Sequence, residues 1–392
     1  MCVAAGALLW SIRTREPIRE QNPAPDSSRL PDKPASRRDT PTAADNVAGD
    51  AFLDEPAFRP GATVEEWKRE AVRTATELVA AFPDSAEALQ VAARLQAHLG
   101  HTDAAVQLWR RAIELDADSA DAYFQMALVA AKRGELEHAV EMFEKVLAIE
   151  PTHPEALARL ADALMQAGKA PEAVQRLEKD LRGRPASDEV LLALGRAYLE
   201  MGRYEQAQKA FQTVIDAAPD KAGAYFGLAR ACARLGQAEQ SRRWFQKYKD
   251  LASLDYEALA RATRGYNDQR VVRDLLVDTL VAAGRVYAAC DATEKAERVW
   301  RKAAVVAPGD ARCRYQLLRL YEQQRRDRAA LEVAEQLCRI EPEKPDCWLF
   351  VGVLRARLGR RDAGLTAIQK AMELDPQNAA YRQVYRQIKE GS

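Results

Sequence analysis

Five glycines, Gly100, Gly134, Gly168, Gly202 and Gly236, follow one another at a spacing of 34 residues, and Pro151, Pro185 and Pro219 keep the same step. Pro308, Pro342 and Pro376 resume it further along. A fixed period of this length means one supersecondary unit repeated, each stacking on the next because it cannot bury its apolar face alone. Between the markers the chain is rich in Ala, Leu, Glu, Arg and Gln and poor in aromatic and β-branched residues, which favours helix nearly throughout. With glycine ending one helix and proline stopping the next, each unit reads as two helices.

Aligned on this period, repeats begin at Ala86, Ala120, Pro154, Asp188 and Ala222, and a second series begins at Val277, Ala311 and Pro345. Position 8 holds Ala93, Ala127, Ala161, Gly195, Ala229, Gly284 and Gly352, with Leu318 departing. Position 20 holds Ala105, Ala139, Ala173, Ala207, Ser241, Ala296, Ala330 and Gly364. Residues this small let two helices cross closely. Position 24 carries a bulky knob: Trp109, Phe143, Leu177, Phe211, Phe245, Trp300 and Ile368, with Ala334 undersized. At position 15, where the chain turns, Asp291 and Arg325 stand where the other repeats have glycine. This pattern resembles the tetratricopeptide repeat family over residues 86–255 and 277–378. The resemblance implies an all-α fold, a right-handed α-solenoid of antiparallel helix pairs, and a role in holding other proteins.

The ends and the middle depart from the period. Residues 61–85, with Trp67, Ala71, Ala75, Leu78 and Pro83, match a second helix without its first and read as an N-terminal cap. Residues 379–392 read as a C-terminal capping helix. Residues 256–276 interrupt a five-repeat block, 86–255, and a three-repeat block, 277–378. Two overlong helices joined near Gly265 are expected there, forming either a hinge or an inert insertion. Residues 17–60, punctuated by eight prolines, bury too little to offset ordering entropy and read as an extended, disordered tether. Residues 1–16 hold the apolar run Cys2–Ile12, too short to span a bilayer and similar to the core of a signal or anchor segment. Its basic residues follow the run rather than precede it. A membrane-anchored or exported protein is therefore favoured over a cytosolic one with a frayed tail.

Charge is balanced, with 58 Lys/Arg against 58 Asp/Glu, so bulk attraction to nucleic acid or membrane is not expected. Residues 61–250 carry 25 basic against 29 acidic residues, and residues 251–392 carry 25 against 20. The six cysteines show no CxxC pair and lie far from the four histidines, which excludes a zinc-ligand spacing and leaves buried thiols as the reading. Cys338 and Cys347, nine residues apart across a helix–helix turn, form the one pair placed to touch.

There is no glycine-rich phosphate loop, GxSxG or HExxH, so no enzyme, cofactor or metal is indicated. In the family, positions 5 and 9 of the first helix line a concave groove. The groove residues so assigned are Arg94, Arg196, Phe226, Arg230, Arg285, Tyr315 and Arg319. Guanidinium groups beside aromatic rings suit a protein or peptide segment that is acidic with apolar anchors. The family's carboxylate clamp for chaperone tails is absent, since the corresponding positions hold Gln90 with Arg94, Phe124 with Leu128, and Ala158 with Asp162. Two alternatives stay open. One is pairing of the arginines with carboxylates of the chain itself. The other is a nucleic-acid contact through Arg312, Arg314, Arg319, Arg325, Arg326 and Arg328, or a place as a non-catalytic subunit of a larger complex.

Overall fold

A computed structural model of the chain describes residues 55–59, 61–182, 187–263 and 269–390. The expectations for residues 1–16, for most of 17–60, and for Pro185 and Gly265 lie outside the described residues. Those described residues form eighteen α-helices and one short 3-10 turn, with no strand among them. None of the helices is long and apolar enough to cross a membrane.

The first helix, α1 (Val64–Ala81), opens on a reciprocal cap in which Thr63 and Glu66 each accept the other's backbone N–H. Five pairs follow: α2 (Ala86–His98) with α3 (Thr102–Leu115), α4 (Ala120–Arg133) with α5 (Leu136–Ile149), α6 (Pro154–Gln166) with α7 (Ala170–Leu181), α8 (Asp188–Glu200) with α9 (Tyr204–Ala217), and α10 (Ala222–Arg234) with α11 (Ala238–Thr263). After them come α12 (Gln269–Ala289), α13 (Thr293–Val306), the pair α14 (Arg312–Gln323) and α15 (Asp327–Ile340), the pair α16 (Pro345–Arg357) and α17 (Arg361–Leu374), and α18 (Ala379–Glu390).

The repeat register is visible in the backbone. Gly100, Gly134, Gly168, Gly202, Gly236 and Gly359 all have φ between 70° and 86°, the left-handed region that glycine enters without a Cβ penalty. Asp291 and Arg325, the two replacements at the same position, adopt it as well, at φ 56° and 58°. The small residues of positions 8 and 20 are buried where first and second helices cross, and Ser241 satisfies its hydroxyl there by donating to the Ala229 carbonyl at 2.9 Å. The two size departures, Leu318 and Ala334, are both buried and fall in one helix pair, a larger residue on α14 accompanied by a smaller one on α15.

The described residues form two compact units, one within residues 62–296 and the other within 297–390 together with 55–59. In the first, a continuous apolar core runs from α4 to α11 through the knobs Phe143, Leu177 and Phe211. The Phe211 ring lies between two backbones: a Cβ on Gly195 would stand 2.6 Å from it, and one on Gly227 would stand closer still.

Two features of this unit depart from a continuous stack. Helix α12, whose residues from Val277 onward open the sixth repeat, packs against α1 and α2 at the beginning of the array. Tyr287 meets Phe82 edge-on with ring centroids 5.7 Å apart, which brings the C-terminal ends of α1 and α12 together. Phe245 on α11, expected as a buried knob, is 40% exposed, whereas the knobs of the four preceding repeats are buried. The physical reason is neighbourhood: a knob at position 24 is covered by the first helix of the next repeat, and the next such helix along the chain, α12, packs elsewhere.

In the second unit, α16 and α17 cross so closely that a Cβ on Gly364 would meet the Gly352 carbonyl oxygen at 2.7 Å. Helix α18 adds Tyr381 and Val384 to this core, and the Tyr381 hydroxyl donates to Asp346 at 2.7 Å. The end of the segment read as a tether is ordered here. Ala57 and Phe58 are buried, and Glu55 accepts from Arg298 at 3.1 Å and from Lys302 at 3.0 Å. Lys302 also lies over the Phe58 ring, so two apolar side chains and a buried ion pair hold this turn against α13.

Candidate functional site

The first helix of each repeat turns position 9 outward because positions 8 and 10 are consumed by packing. All five position-9 arginines, Arg94, Arg196, Arg230, Arg285 and Arg319, are exposed. Their surroundings differ. Arg94 reaches Asp121 of the next repeat at 3.3 Å, and Arg196 reaches Asp162 of the preceding one at 2.7 Å. Such exposed pairs contribute about 0.2–1 kcal/mol, so they orient the side chains without locking them. Arg230 makes a different contact, its guanidinium standing 5.9 Å from the Phe226 ring centroid. Arg285 and Arg319 have no carboxylate partner among the described residues. Intramolecular pairing thus accounts for two members of the row.

The row is not one continuous line of successive helices. Arg94, Arg196, Arg230 and Arg285 belong to the unit of residues 62–296, and Arg319 and Tyr315 belong to the other. Within the first unit, α12 carries Arg285 to the side of α1 and α2.

Phe226 is 39% exposed and belongs to an aromatic group that the sequence did not assemble. Its ring centroid lies 5.0 Å from Tyr248 and 6.4 Å from Phe245, and Phe245 and Tyr248 are 5.8 Å apart. Lys249 lies over the Phe245 ring at 5.0 Å. The spacing of Phe245 and Tyr248, three residues apart on one helix face, was the available signal, hidden because Phe245 had been assigned to the core.

Tyr315 has a different fate from the arginines it was grouped with. It is half-buried, its hydroxyl donates to the Glu341 carboxylate, and it stands 3.3 Å from the Cys347 sulfur. Lys344 donates to the same carboxylate at 3.1 Å and covers the ring at 4.5 Å. Burial pushes the Tyr315 hydroxyl up, and the neighbouring thiol and carboxylate push it further. Burial also acts upward on Glu341, but the donors Tyr315 and Lys344 outweigh it and hold the carboxyl low. Cys338 and Cys347 are both free thiols and interact through their side chains, with the Cys338 thiol pushed up and Cys347 drawn down to about 7. This cluster ties α14, α15 and α16 together, which places Tyr315 in the fold of its unit rather than on an open face.

The arginines read as a nucleic-acid contact are partly consumed by structure. Arg312 chelates Asp310, and Arg314 is buried, bonding Gln336 at 3.0 Å and the Asp310 carbonyl at 2.7 Å. Arg326 pairs with Glu297 at 2.6 Å while stacking on Tyr321. Three of the six basic charges are therefore neutralised or enclosed, which argues against a phosphate-binding stripe. His153, one of the isolated histidines, caps α6 by accepting the Ala156 N–H at 3.1 Å and stacks on Phe124.

Two family models, both described as tetratricopeptide repeat, match residues 130–182 and 192–256. No curated protein matches the chain. Solved structures similar to it include YrrB, described as a TPR protein with an unusual peptide-binding site, at 20% identity over 48% of this chain and 97% of that one, with a TM-score of 0.39. MamA residues 41 to the end from Desulfovibrio magneticus RS-1 is 22% identical over 43% of this chain and 95% of that one, with a TM-score of 0.39. The C-terminal part of a TPR repeat-containing protein from Cytophaga hutchinsonii is 18% identical over 63% of this chain and 93% of that one, with a TM-score of 0.41. At these identities the likeness concerns the fold alone.

Proposed function

We propose, from the membership of this chain in the tetratricopeptide repeat family, that it is a non-catalytic scaffold which holds acidic segments of partner proteins against the arginines that each of its units exposes. The observation that carries this reading is the set of exposed guanidinium groups at one repeat position, of which Arg285 in the unit of residues 62–296 and Arg319 in the other have no carboxylate partner among the described residues. A guanidinium left in solvent is a weak contributor to folding, yet it pairs bidentately with a carboxylate brought to it. Its effect falls mainly on association rate and partner choice.

The test is affinity capture from the native source with the full chain and with a variant carrying Arg285→Glu and Arg319→Glu, read by quantitative mass spectrometry. A partner of the proposed kind is lost by more than tenfold, while the melting curve of the variant matches the parent because neither side chain holds the fold. Retention of every captured protein by the variant would exclude the arginines as the binding surface.

A further inference from the structure

The aromatic group on α10 and α11 stands at the end of the five-repeat array. In the repeat before it, Phe211 of α9 projects toward α10, which presents Gly227 to the ring so closely that no Cβ fits. Trp109, Phe143 and Leu177 are likewise buried in their repeats. Phe245 occupies the same repeat position on α11, and among the described residues no helix covers it: the ring is 40% exposed beside Phe226 at 39%. The next first helix along the chain is α12, which packs against α1 and α2 instead. The array therefore ends in a formed helix seat with its knob in place and, among the described residues, no occupant.

The rim of the seat carries charge of one dominant sign. Arg230 stands over Phe226 and Lys249 over Phe245, at 5.9 and 5.0 Å. On the same side of α11, Arg242 is paired with Glu239 at 2.7 Å, which leaves Arg230 and Lys249 as the charges set against the two rings. A cation held over an aromatic face keeps its charge available at the edge of an apolar surface.

We propose that Phe226, Phe245 and Tyr248 form a docking seat for an acidic amphipathic helix of a partner protein, which takes the place of a sixth first helix. The chemistry fixes the occupant. A small residue, Gly or Ala, faces Phe245 as Gly227 faces Phe211. Aliphatic side chains one turn to either side cover Phe226 and Tyr248. Asp or Glu on the flanks meets Arg230 and Lys249. Helix-in-groove recognition reads such anchors at i, i+3 or i+4, and i+7. The proposal rests on the scaffold reading above and shares Arg230 with it, but its anchors Phe245, Tyr248 and Lys249 lie off the arginine row, so the two fail separately.

The test uses a display library of helical peptides selected against the full chain, followed by affinity measurements by fluorescence anisotropy on the enriched sequences. The expected clones are acid-rich amphipathic helices with Gly or Ala at the crossing. They lose at least tenfold in affinity with Phe245→Asp and with Lys249→Glu, and change less than twofold with Arg285→Glu and Arg319→Glu together. Phe245→Ala serves as the second seat variant, and unchanged helical content by circular dichroism guards against misfolding. Clones sensitive to the arginine pair and indifferent to Phe245→Asp overturn the seat and leave the arginine surface standing. No enrichment over the Phe245→Asp protein, or enrichment of basic peptides, also overturns it. Sedimentation that shows a dimer dissociated by Phe245→Asp assigns the seat to a second copy of the chain and overturns the acidic partner.

Discussion

Two glycines four residues apart on α10 face opposite consequences from the same substitution. Gly223 sits in the first turn with nothing within 4 Å of an added Cβ, so Gly223→Ala meets no obstacle. The change removes backbone freedom from the unfolded chain and stabilises by about 0.5–1 kcal/mol. Gly227→Ala brings the same intrinsic gain of about 1 kcal/mol in a helix interior. Its new methyl, however, drives into Phe211, whose ring is held from the other side by Gly195, where a Cβ would already be 2.6 Å away. The ring cannot retreat, and overpacking of this kind costs about 1–3 kcal/mol. The difference leaves Gly227→Ala destabilising by up to about 2 kcal/mol. For a unit of this size each kcal/mol moves the midpoint by about 2–4 °C. Thermal melts of the two single variants should therefore diverge, Gly223→Ala above the parent and Gly227→Ala below it. Replacing Phe211 with Leu in the Gly227→Ala background should recover part of the loss through a favourable coupling energy. A Gly227→Ala protein that melts at or above the parent would refute the glycine clamp and the register behind it.

Arg325 holds a left-handed conformation at φ 58° with its side chain exposed; Arg325→Gly should relieve about 1 kcal/mol of that strain and raise the melting midpoint of its unit, and a lower midpoint would contradict it. In native protein with Cys2 replaced by Ser, a thiol reagent should modify exposed Cys290 at once. It should reach buried Cys232 and Cys313, whose thiols burial pushes up, only on unfolding; fast labelling of more than one thiol would contradict the burial. Burial acts upward on Asp310, but hydrogen bonds and charge from Arg312 outweigh it and hold the carboxyl below its ordinary range. A depressed folded value contributes stability that is complete above the ordinary carboxylate pKa of about 4 and is lost as pH falls through the folded value. The melting midpoint of the parent should thus fall more steeply below about pH 4 than that of Asp310→Asn, and parallel acid limbs would count against the pairing.

Much of the fold was legible because the repeat is a local device. Position 8, position 20 and the turn glycine each meet residues of the same or adjacent repeat, so a fixed step along the chain maps onto a fixed neighbour in space. The left-handed geometry at Asp291 and Arg325 shows that the backbone keeps the pattern even where the side chain departs. What the period could not encode is a choice among distant apolar surfaces. Gly227 escaped notice because it lies off the 34-residue series and matters only through the Phe211 ring. Phe245 was read as buried because its register assumes a successor, and α12 packs elsewhere. Tyr315 and Arg314 looked like surface groups on a helix face, but burial beside Glu341, Cys347 and backbone carbonyls commits them to the interior of their unit. The docked turn at Ala57 and Phe58 was masked by the proline-rich composition around it.

The packing of α12 on α1 also bears on how the unit folds. A linear repeat array unfolds in stages, because each repeat leans only on its neighbours and the terminal ones peel first. Here the meeting of Phe82 with Tyr287 joins points about 200 residues apart along the chain. Closing a loop that long rather than one repeat costs only about 1.6 kcal/mol more in chain entropy, since the penalty grows with the logarithm of length. Once closed, the contact removes a free end from the array, so α1 cannot fray without also losing its packing against α12. Amide exchange in α1 should then be as slow as in the middle of the array, with both released in a single cooperative opening.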